Sequence, residues 1–202
     1  HVLMAPPPGE SAPVIALPQV QQIVATLRRT FDWVVVDLGL PLNETAYAFL
    51  DSADRIIVSV LPEMVGLRNA RLMLDALHER SYPQGRIWML VNRATMAGGV
   101  KPSDIEARLR LPIFFSIPDD QPLATHSVNR GVPATLSHPR SALAKAYREF
   151  ARRIVKELPV HAHAQSEETI RSGAVEARPQ TRQRIGWGRS SRSGAATVAM
   201  SE

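Results

Sequence analysis

Phe31-Asp-Trp-Val-Val-Val-Asp-Leu-Gly39 is the most informative stretch of this 202-residue chain. Its run of four apolar residues, three of them β-branched valines, favours a central strand of a parallel sheet covered on both faces. Asp37 then falls at the carboxyl end of that strand, the edge where open α/β sheets bind their ligands. A buried carboxylate needs a partner, so Asp37 is a candidate contact for a metal-bound water or a phosphate-bearing ligand. The alternative is an acid that caps the turn at Leu38-Gly-Leu-Pro41, and the strand alone does not separate the two interpretations.

The rest of the chain alternates short apolar runs with segments of helical periodicity. Further strands are predicted over residues 55–60, 87–91 and 112–117, and helices over residues 18–29, 43–51, 63–80, 103–110 and 143–158. Asn43 is the predicted cap of the second helix, and Ser103 with Glu106 forms a capping-box pattern at the fourth. This alternation predicts an α/β fold, a mostly parallel sheet flanked by helices on both faces, in a single domain over residues 1–158.

Composition excludes several classes of protein. The chain has no cysteine, which rules out disulfides and thiolate metal sites and suits a reducing cytoplasm. Its apolar runs are too short for a membrane span, and its net charge of +5 is spread over separate helices, so we expect no specific nucleic-acid site. Residues 159–202 are rich in Ala, Ser, Gly and Arg and predict a disordered basic tail. His161 and His163 in that tail lack a third metal ligand.

Taken together, these segments resemble the later part of the ParA/MinD superfamily of deviant-Walker ATPases, and within it the TadZ/CpaE proteins of pilus assembly. The resemblance covers roughly residues 1–157. It is carried by the stretch quoted above and then, in order, by Ala53-Asp-Arg-Ile-Ile-Val-Ser-Val-Leu-Pro-Glu63, Leu67-Arg-Asn-Ala70, Leu90-Val-Asn-Arg93, Ser103-Asp-Ile-Glu106, Ile117-Pro-Asp-Asp120, Asn129-Arg-Gly-Val-Pro133 and Ser141-Ala-Leu-Ala144.

The resemblance implies a fold like that of P-loop NTPases and a site for ATP and Mg²⁺. Asp37 matches the Walker B acid, which holds the magnesium through water, a role that fits the preference of this ion for oxygen ligands and retained waters. Asn92 matches the position whose amide meets the adenine edge, and Pro118 and Asp119 match the loop beside the base. The alternative for Asn92 is a cap at a strand end, and the alternative for Asp119 and Asp120 is a pair of helix N-caps.

One half of such a site is missing from the sequence. Phosphoryl chemistry needs a glycine-rich loop with a lysine, which in this superfamily reads like Lys-Gly-Gly-Val-Gly-Lys-Thr. The nearest segment, Met96-Ala-Gly-Gly-Val-Lys-Pro-Ser103, lacks the glycine before the lysine, and Pro102 stands where the loop should enter a helix with free amides. We therefore expect the phosphate loop to precede His1 in a longer protein, and this chain alone to bind nucleotide poorly and to hydrolyse none.

The leading functional hypothesis is a cytoplasmic TadZ/CpaE-like protein that places a Flp/Tad pilus (type II/IV secretion) apparatus at a cell pole or near the inner membrane. Its expected partners are a second copy of the chain and proteins of that apparatus. The first alternative is a nucleotide-independent scaffold with a degenerate site, and the second is a ParA-like partition ATPase. A septum-placing role would need a closing amphipathic membrane helix. Gly194–Glu202 lacks that pattern, so the sequence disfavours this role.

Overall fold

The computed structural model describes residues 16–39 and 42–158. These residues belong to two units, with the boundary between Asp51 and Ser52. The predicted tail, residues 159–202, lies outside the described residues, and the single domain over residues 1–158 stays a prediction.

The first unit contains helix α1 (Leu17–Thr30) and most of helix α2 (Glu44–Ser52). Helix α1 has Pro18 in its first turn and two arginines in its last turn. The positive charges of these arginines interact favourably with the negative end of the helix dipole. Before α2, the Asn43 side-chain oxygen accepts a hydrogen bond of 2.9 Å from the Ala46 backbone N–H. Both predicted helices and the predicted Asn43 cap are thereby confirmed.

The predicted strand over residues 33–37 is wrong. Residues 31–39 form neither strand nor helix, and Val35 is 91 % exposed. An extended segment becomes a strand only when a neighbouring strand exchanges backbone hydrogen bonds with it. The described residues form a single three-stranded sheet that does not include this segment, so its valines have the right local preference without a partner. Asp37, in this segment, is exposed.

The second unit is built on a parallel sheet with the strand order β1 (Ile56–Val60), β2 (Ile87–Val91) and β3 (Ile113–Ser116). All three strands fall within the ranges predicted from the sequence. Along β1, buried and exposed residues alternate, as expected where one face is covered more fully than the other. Because the strands are parallel, their carboxyl ends share one edge of the sheet.

Helices α3 (Met64–Glu79) and α4 (Pro102–Leu109) connect the strands, with a short 3₁₀ turn (Gln84–Arg86) before β2. Helix α3 packs against β1 and α4, and its buried residues are Leu67, Ala70 and Leu77. The predicted capping box at Ser103 is wrong, because the helix begins one residue earlier with Lys101 as its N-cap. The Glu106 carboxylate instead accepts a 2.7 Å hydrogen bond from the Ile113 N–H, which ties α4 to the start of β3.

Three helices follow the sheet: α5 (Gln121–Arg130), α6 (Ala134–Ser137) and α7 (Ala142–Glu157). The sequence predicts α7 but not α5 or α6. Ile117, Ala134 and Leu143 form a buried cluster against which Leu90 and Phe115 pack. Leu90 alternates with the fully buried Met89 along β2, so the cluster lies on the opposite face of the sheet from Met89. The α/β fold with a parallel sheet flanked by helices is thus confirmed.

A β-bulge between β2 and β3 determines the position of the Phe114 ring. Between β2 and β3, Met89 is opposite Ile113 and Leu90 is opposite Phe115, so Phe114 is the extra residue. Its ring stacks on that of Trp88 with 4.0 Å between centroids, and the guanidinium of Arg153 from α7 lies over its other side, 4.4 Å from the centroid. The stack fastens α7 to the sheet.

None of the helices in the described ranges combines the length and the apolar content needed to cross a bilayer.

Candidate functional site

Polar side chains follow all three strands at the carboxyl edge of the sheet. Glu63 comes after β1, Asn92 and Arg93 come directly after β2, and Asp119 comes after β3. This is the edge at which open parallel sheets bind ligands. The structure therefore brings three of the four predicted site residues, Asn92, Pro118 and Asp119, into two neighbouring loops.

An ion pair joins those two loops. Arg93 Nε donates to Asp119 Oδ1 at 2.8 Å, and Arg93 Nη2 lies 3.5 Å from Oδ2 of the same carboxylate. The side chains are 35 % and 22 % exposed, so the pair is partly shielded from water. The hydrogen bond to Asp119 raises the pKa of the Arg93 guanidinium, desolvation opposes that shift, and the charges of Asp119 and Glu63 add to it. Arg93 is therefore a fixed positive charge.

Two hydrogen bonds from backbone N–H groups also join these two loops. The Ala94 N–H donates to the Ile117 carbonyl at 2.8 Å, and the Asp119 N–H donates to the Thr95 hydroxyl oxygen at 2.9 Å. Arg93 adopts φ = 55°, in the left-handed region that residues other than glycine rarely occupy. Such a conformation persists only where the surroundings hold it. The loops after β2 and β3 are consequently joined by an ion pair and by two hydrogen bonds from backbone N–H groups.

Asn92 is half-buried and takes part in the turn that follows β2. Its backbone N–H donates to the Val60 carbonyl at 2.9 Å, and its side-chain oxygen accepts from the Arg93 N–H at 3.0 Å. This is the geometry of a strand-end cap. Within the described part of the chain no hydrogen bond engages the amide nitrogen, which is the group left to meet a ligand. Adenine recognition by Asn92 stays a prediction.

The two acids after Pro118 have different roles. Asp120 is the N-cap of α5, since its side chain accepts a hydrogen bond of 3.2 Å from the Leu123 N–H. Asp119 does not cap the helix and bonds to Arg93 instead. The alternative interpretation, that both acids are helix N-caps, is therefore correct for Asp120 and wrong for Asp119.

Asp37, the fourth predicted site residue, belongs to the first unit and is exposed. The described residues contain no group of three or more His, Cys, Asp or Glu side chains placed to hold a metal ion. Magnesium in nucleotide sites is held by one or two carboxylates, the phosphates and several waters. One accessible carboxylate such as that of Asp37 fits a water-mediated contact of that kind, and its role stays a prediction based on the resemblance.

The glycine loop at residues 96–103 uses its own amides internally. The Gly99 N–H donates to the Met96 carbonyl at 3.0 Å, and the Val100 N–H donates to the Pro62 carbonyl at 2.8 Å. A Cβ on Gly99 would lie 3.0 Å from the Met96 oxygen and 3.3 Å from that of Pro62. A side chain at this position would be tightly placed because the loop packs closely on the segment after β1. These two amides are not available to a phosphate in this conformation.

Sequence reasoning missed Arg93 and Thr95. Both lie in the loop that the Asn92 prediction had already marked, and Arg93 has a charge opposite to that of Asp119 at the next strand end. Opposite charges in the loops after two strands become a signal for such a pair only once the strands are known to be neighbours.

Comparison with known proteins finds MinD proteins and a ParA family ATPase among the similar chains. No model of a known protein family matches the sequence. The chain is 26 % identical over 158 residues to the septum site-determining protein MinD of Synechocystis, covering 76 % of this chain and 58 % of that protein. It is also 26 % identical over 147 residues to MinD of Bacillus subtilis, covering 71 % of this chain and 54 % of that protein.

Solved structures with a similar fold include a ParA family ATPase from Chlorobium tepidum, with a TM-score of 0.64, 25 % identity and coverage of 68 % of this chain and 57 % of that one. MinD of Pyrococcus horikoshii complexed with Mg-ADP has a TM-score of 0.59 and 20 % identity, with coverage of 70 % of this chain and 58 % of that one. The MinC:MinD complex of Aquifex aeolicus has a TM-score of 0.61 and 23 % identity, with coverage of 72 % of this chain and 61 % of that one. The chain thus spans a little over half the length of the relatives it matches.

Proposed function

We propose that this chain, which has the fold of the ParA/MinD ATPases, forms the adenine-binding side of a nucleotide site in a protein that positions other proteins in the cell. The observation that carries the proposal is the joined pair of loops after β2 and β3, which presents Asn92 and Pro118 at the carboxyl edge of the sheet. An edge of this kind, preformed before any ligand arrives, binds without an added cost of ordering its loops.

Each residue of the site has a distinct proposed role. The Asn92 amide nitrogen donates to a ring nitrogen of adenine, while its oxygen remains bonded to the Arg93 N–H. Pro118 offers an apolar surface to the face of the base. Asp119 is a positioning residue that acts through Arg93, and this differs from the direct contact expected from the sequence.

ATP and Mg²⁺ are the proposed ligands, with Asp37 holding the ion through water. One of the similar structures, MinD of Pyrococcus horikoshii, is complexed with Mg-ADP, which supports this choice. When bound, magnesium would neutralise phosphate charge. The residues of this chain would contribute the base contact and one carboxylate.

The proposed cellular role is the placement of a Flp/Tad pilus apparatus, as in TadZ/CpaE proteins, by a homodimer that contacts proteins of that apparatus. The support for this branch is the ordered set of motifs from Ala53 to Ala144. A similar structure, MinD of Aquifex aeolicus, forms a complex with MinC, which supports a partner-binding role. Placement of the division septum is the second candidate, because the curated relatives are septum site-determining proteins.

Nucleotide titration of the purified chain, followed by NMR, tests the site. A base-side half-site should bind adenosine, AMP and ATP with similar affinities, with Kd on the order of 1 mM, and guanosine more weakly. Asn92→Ala should remove the preference for adenine, and Asn69→Ala, a change of the same kind on the exposed face of α3, should not. ATP binding more than about tenfold tighter than adenosine binding, or magnesium-dependent turnover, would contradict the half-site. Equal affinity for adenosine and guanosine would remove the role of Asn92.

A genetic test separates the two cellular roles. Deletion of the coding sequence should abolish surface pili, counted by electron microscopy, with septa still at midcell. Asn92→Ala should weaken piliation in the same direction. Minicells in a fully piliated strain would favour septum placement and would overturn the pilus proposal.

A further inference from the structure

A cavity of about 290 Å³ is lined by His126 and Arg130 of α5, Val132, Ser137 and His138. His126 and Arg130 are four residues apart and therefore share one face of α5. The two imidazole rings meet edge to face, with 5.8 Å between their centroids. The cavity takes no part in the site proposed above.

The walls of this cavity are held in place by local structure. Gly131 ends α5 with φ = 62°, a left-handed conformation that turns the chain toward α6. Ala134, at the start of α6, is buried in the cluster with Ile117 and Leu143. The His138 N–H donates to the Ala134 carbonyl at 2.9 Å, and the Ser141 hydroxyl donates to the His138 carbonyl at 2.9 Å. The surface is therefore preformed and needs little ordering on binding.

The chain segment that contains the cavity lining carries charge of one sign. No Asp or Glu occurs from Gln121 to Arg148, a segment that carries Arg130, Arg140, Lys145 and Arg148 beside the two histidines. Arg148 is engaged with the Pro139 carbonyl, whereas Arg130 lines the cavity directly. A surface with this charge attracts an acidic partner and speeds its association.

Exposed apolar side chains accompany the positive charge. Val132 lines the cavity at 40 % exposure, and Leu136, directly before the lining residue Ser137, is 73 % exposed. Nucleic-acid phosphates are bound by clustered lysines and arginines, and exposed valine and leucine add nothing to that contact. A combination of apolar anchors with a cationic rim is typical of a protein interface.

We propose that this surface is a docking site for an acidic, partly apolar peptide segment of a partner protein, with a Leu-like side chain in the cavity and a carboxylate on Arg130. Arginine matches a carboxylate with two parallel hydrogen bonds, and the His126 and His138 ring edges supply further donors. The site is independent of nucleotide.

The test uses the full chain and a fluorescein-labelled, terminally blocked helical peptide in which pairs of Glu and Leu alternate. We expect saturable binding, seen by polarisation, and shifts of the His126 and His138 ring signals, assigned with His126→Gln and His138→Gln. Arg130→Glu should weaken binding about tenfold. Arg68→Glu, the same charge change on the exposed face of α3, should alter it less than about twofold. Far-UV circular dichroism and the unfolding midpoint establish that both variants are folded.

The results that would overturn the proposal as a whole can be stated in advance. An absence of binding at about 1 mM peptide would do so, as would equal losses of peptide affinity in Arg130→Glu and Arg68→Glu. Equal binding of a peptide with Lys in place of Glu would exclude recognition of an acidic segment. Displacement of the peptide by a thymidine oligonucleotide that binds more tightly would identify a nucleic-acid site instead. Equal binding of a peptide with Ser in place of Leu would exclude the apolar anchor and would overturn the docking of an apolar side chain in the cavity.

Discussion

The guanidinium of Arg93 and the carboxylate of Asp119, 26 positions apart in the chain, form a two-pronged ion pair across the ends of β2 and β3. Neither residue lies in a strand, yet together they fix the distance between the two loops that present Asn92 and Pro118. In ligand sites, groups that orient the contacting residues matter nearly as much as the contacts themselves. Asp119 is therefore better understood through Arg93 than through a ligand.

Arg93→Gln should lower the unfolding midpoint by about 1–3 °C, because the substitution leaves the Asp119 carboxylate without its cationic partner. The folded state raises the pKa of an already basic guanidinium. The stabilisation is thus complete below the ordinary pKa of arginine and is lost only as the pH rises through the raised value. We expect the same difference in midpoint from wild type at about pH 6 and about pH 9. Arg71→Gln, which breaks an exposed pair with Asp75 on α3, should have a smaller effect. A difference that halves between these pH values would contradict the prediction.

Asp120→Ala should lower the free energy of unfolding by about 1 kcal/mol, since the N-terminal amides of α5 lose the acceptor that bonds to the Leu123 N–H. Asp120→Asn keeps a side-chain oxygen and should recover most of that loss. Urea denaturation measures both variants. Equal unfolding free energies for the alanine and asparagine variants would show that the cap contributes nothing.

Leu77→Ala should destabilise the protein by about 2–5 kcal/mol, because Leu77 of α3 is completely buried and truncation leaves a cavity. Leu72→Ala removes the same atoms from the same helix at a position that is 59 % exposed. Its effect should stay within about 0.5 kcal/mol. Urea denaturation of the two variants side by side checks the assignment of the buried face, and similar losses for both would refute it.

Gly66→Ala should be destabilising by about 1–3 kcal/mol, although alanine is the better helix former by about 1 kcal/mol. A Cβ at position 66 would lie 2.5 Å from the backbone oxygen of Leu61, so the chain after β1 would have to move. Gly85→Ala meets nothing within 4 Å and should be close to neutral. Thermal unfolding of both variants measures the difference. A Gly66→Ala protein more stable than wild type would show that the segment after β1 moves aside at little cost.

The parts of the fold that depend on neighbours in sequence were predictable. The Asn43 cap needs only a side chain three residues before the amide that it bonds, and β2 needs only an apolar run bounded by turn residues. Parallel order followed from the alternation of strands and helices. These features are local, or follow from the connection between successive elements.

The errors occurred where a non-local partner decides the outcome. Residues 33–37 have strand composition, but no strand pairs with them among the described residues. Ser103 and Glu106 have capping-box spacing, but the Glu106 carboxylate finds a better donor in the Ile113 N–H. The Arg93–Asp119 pair was missed for the same reason, since no local pattern reports which strand ends will be neighbours.

The parallel order of β1, β2 and β3 also bears on how the loops after β2 and β3 come together during folding. Each strand reaches its neighbour only after a helix has folded back along the sheet, and closing such long connections slows folding. The loops that carry Asn92 and Asp119 therefore meet only when the crossover from β2 through α4 to β3 is complete. A base bound by both loops, as proposed, would therefore bind only to copies in which β2 and β3 have paired.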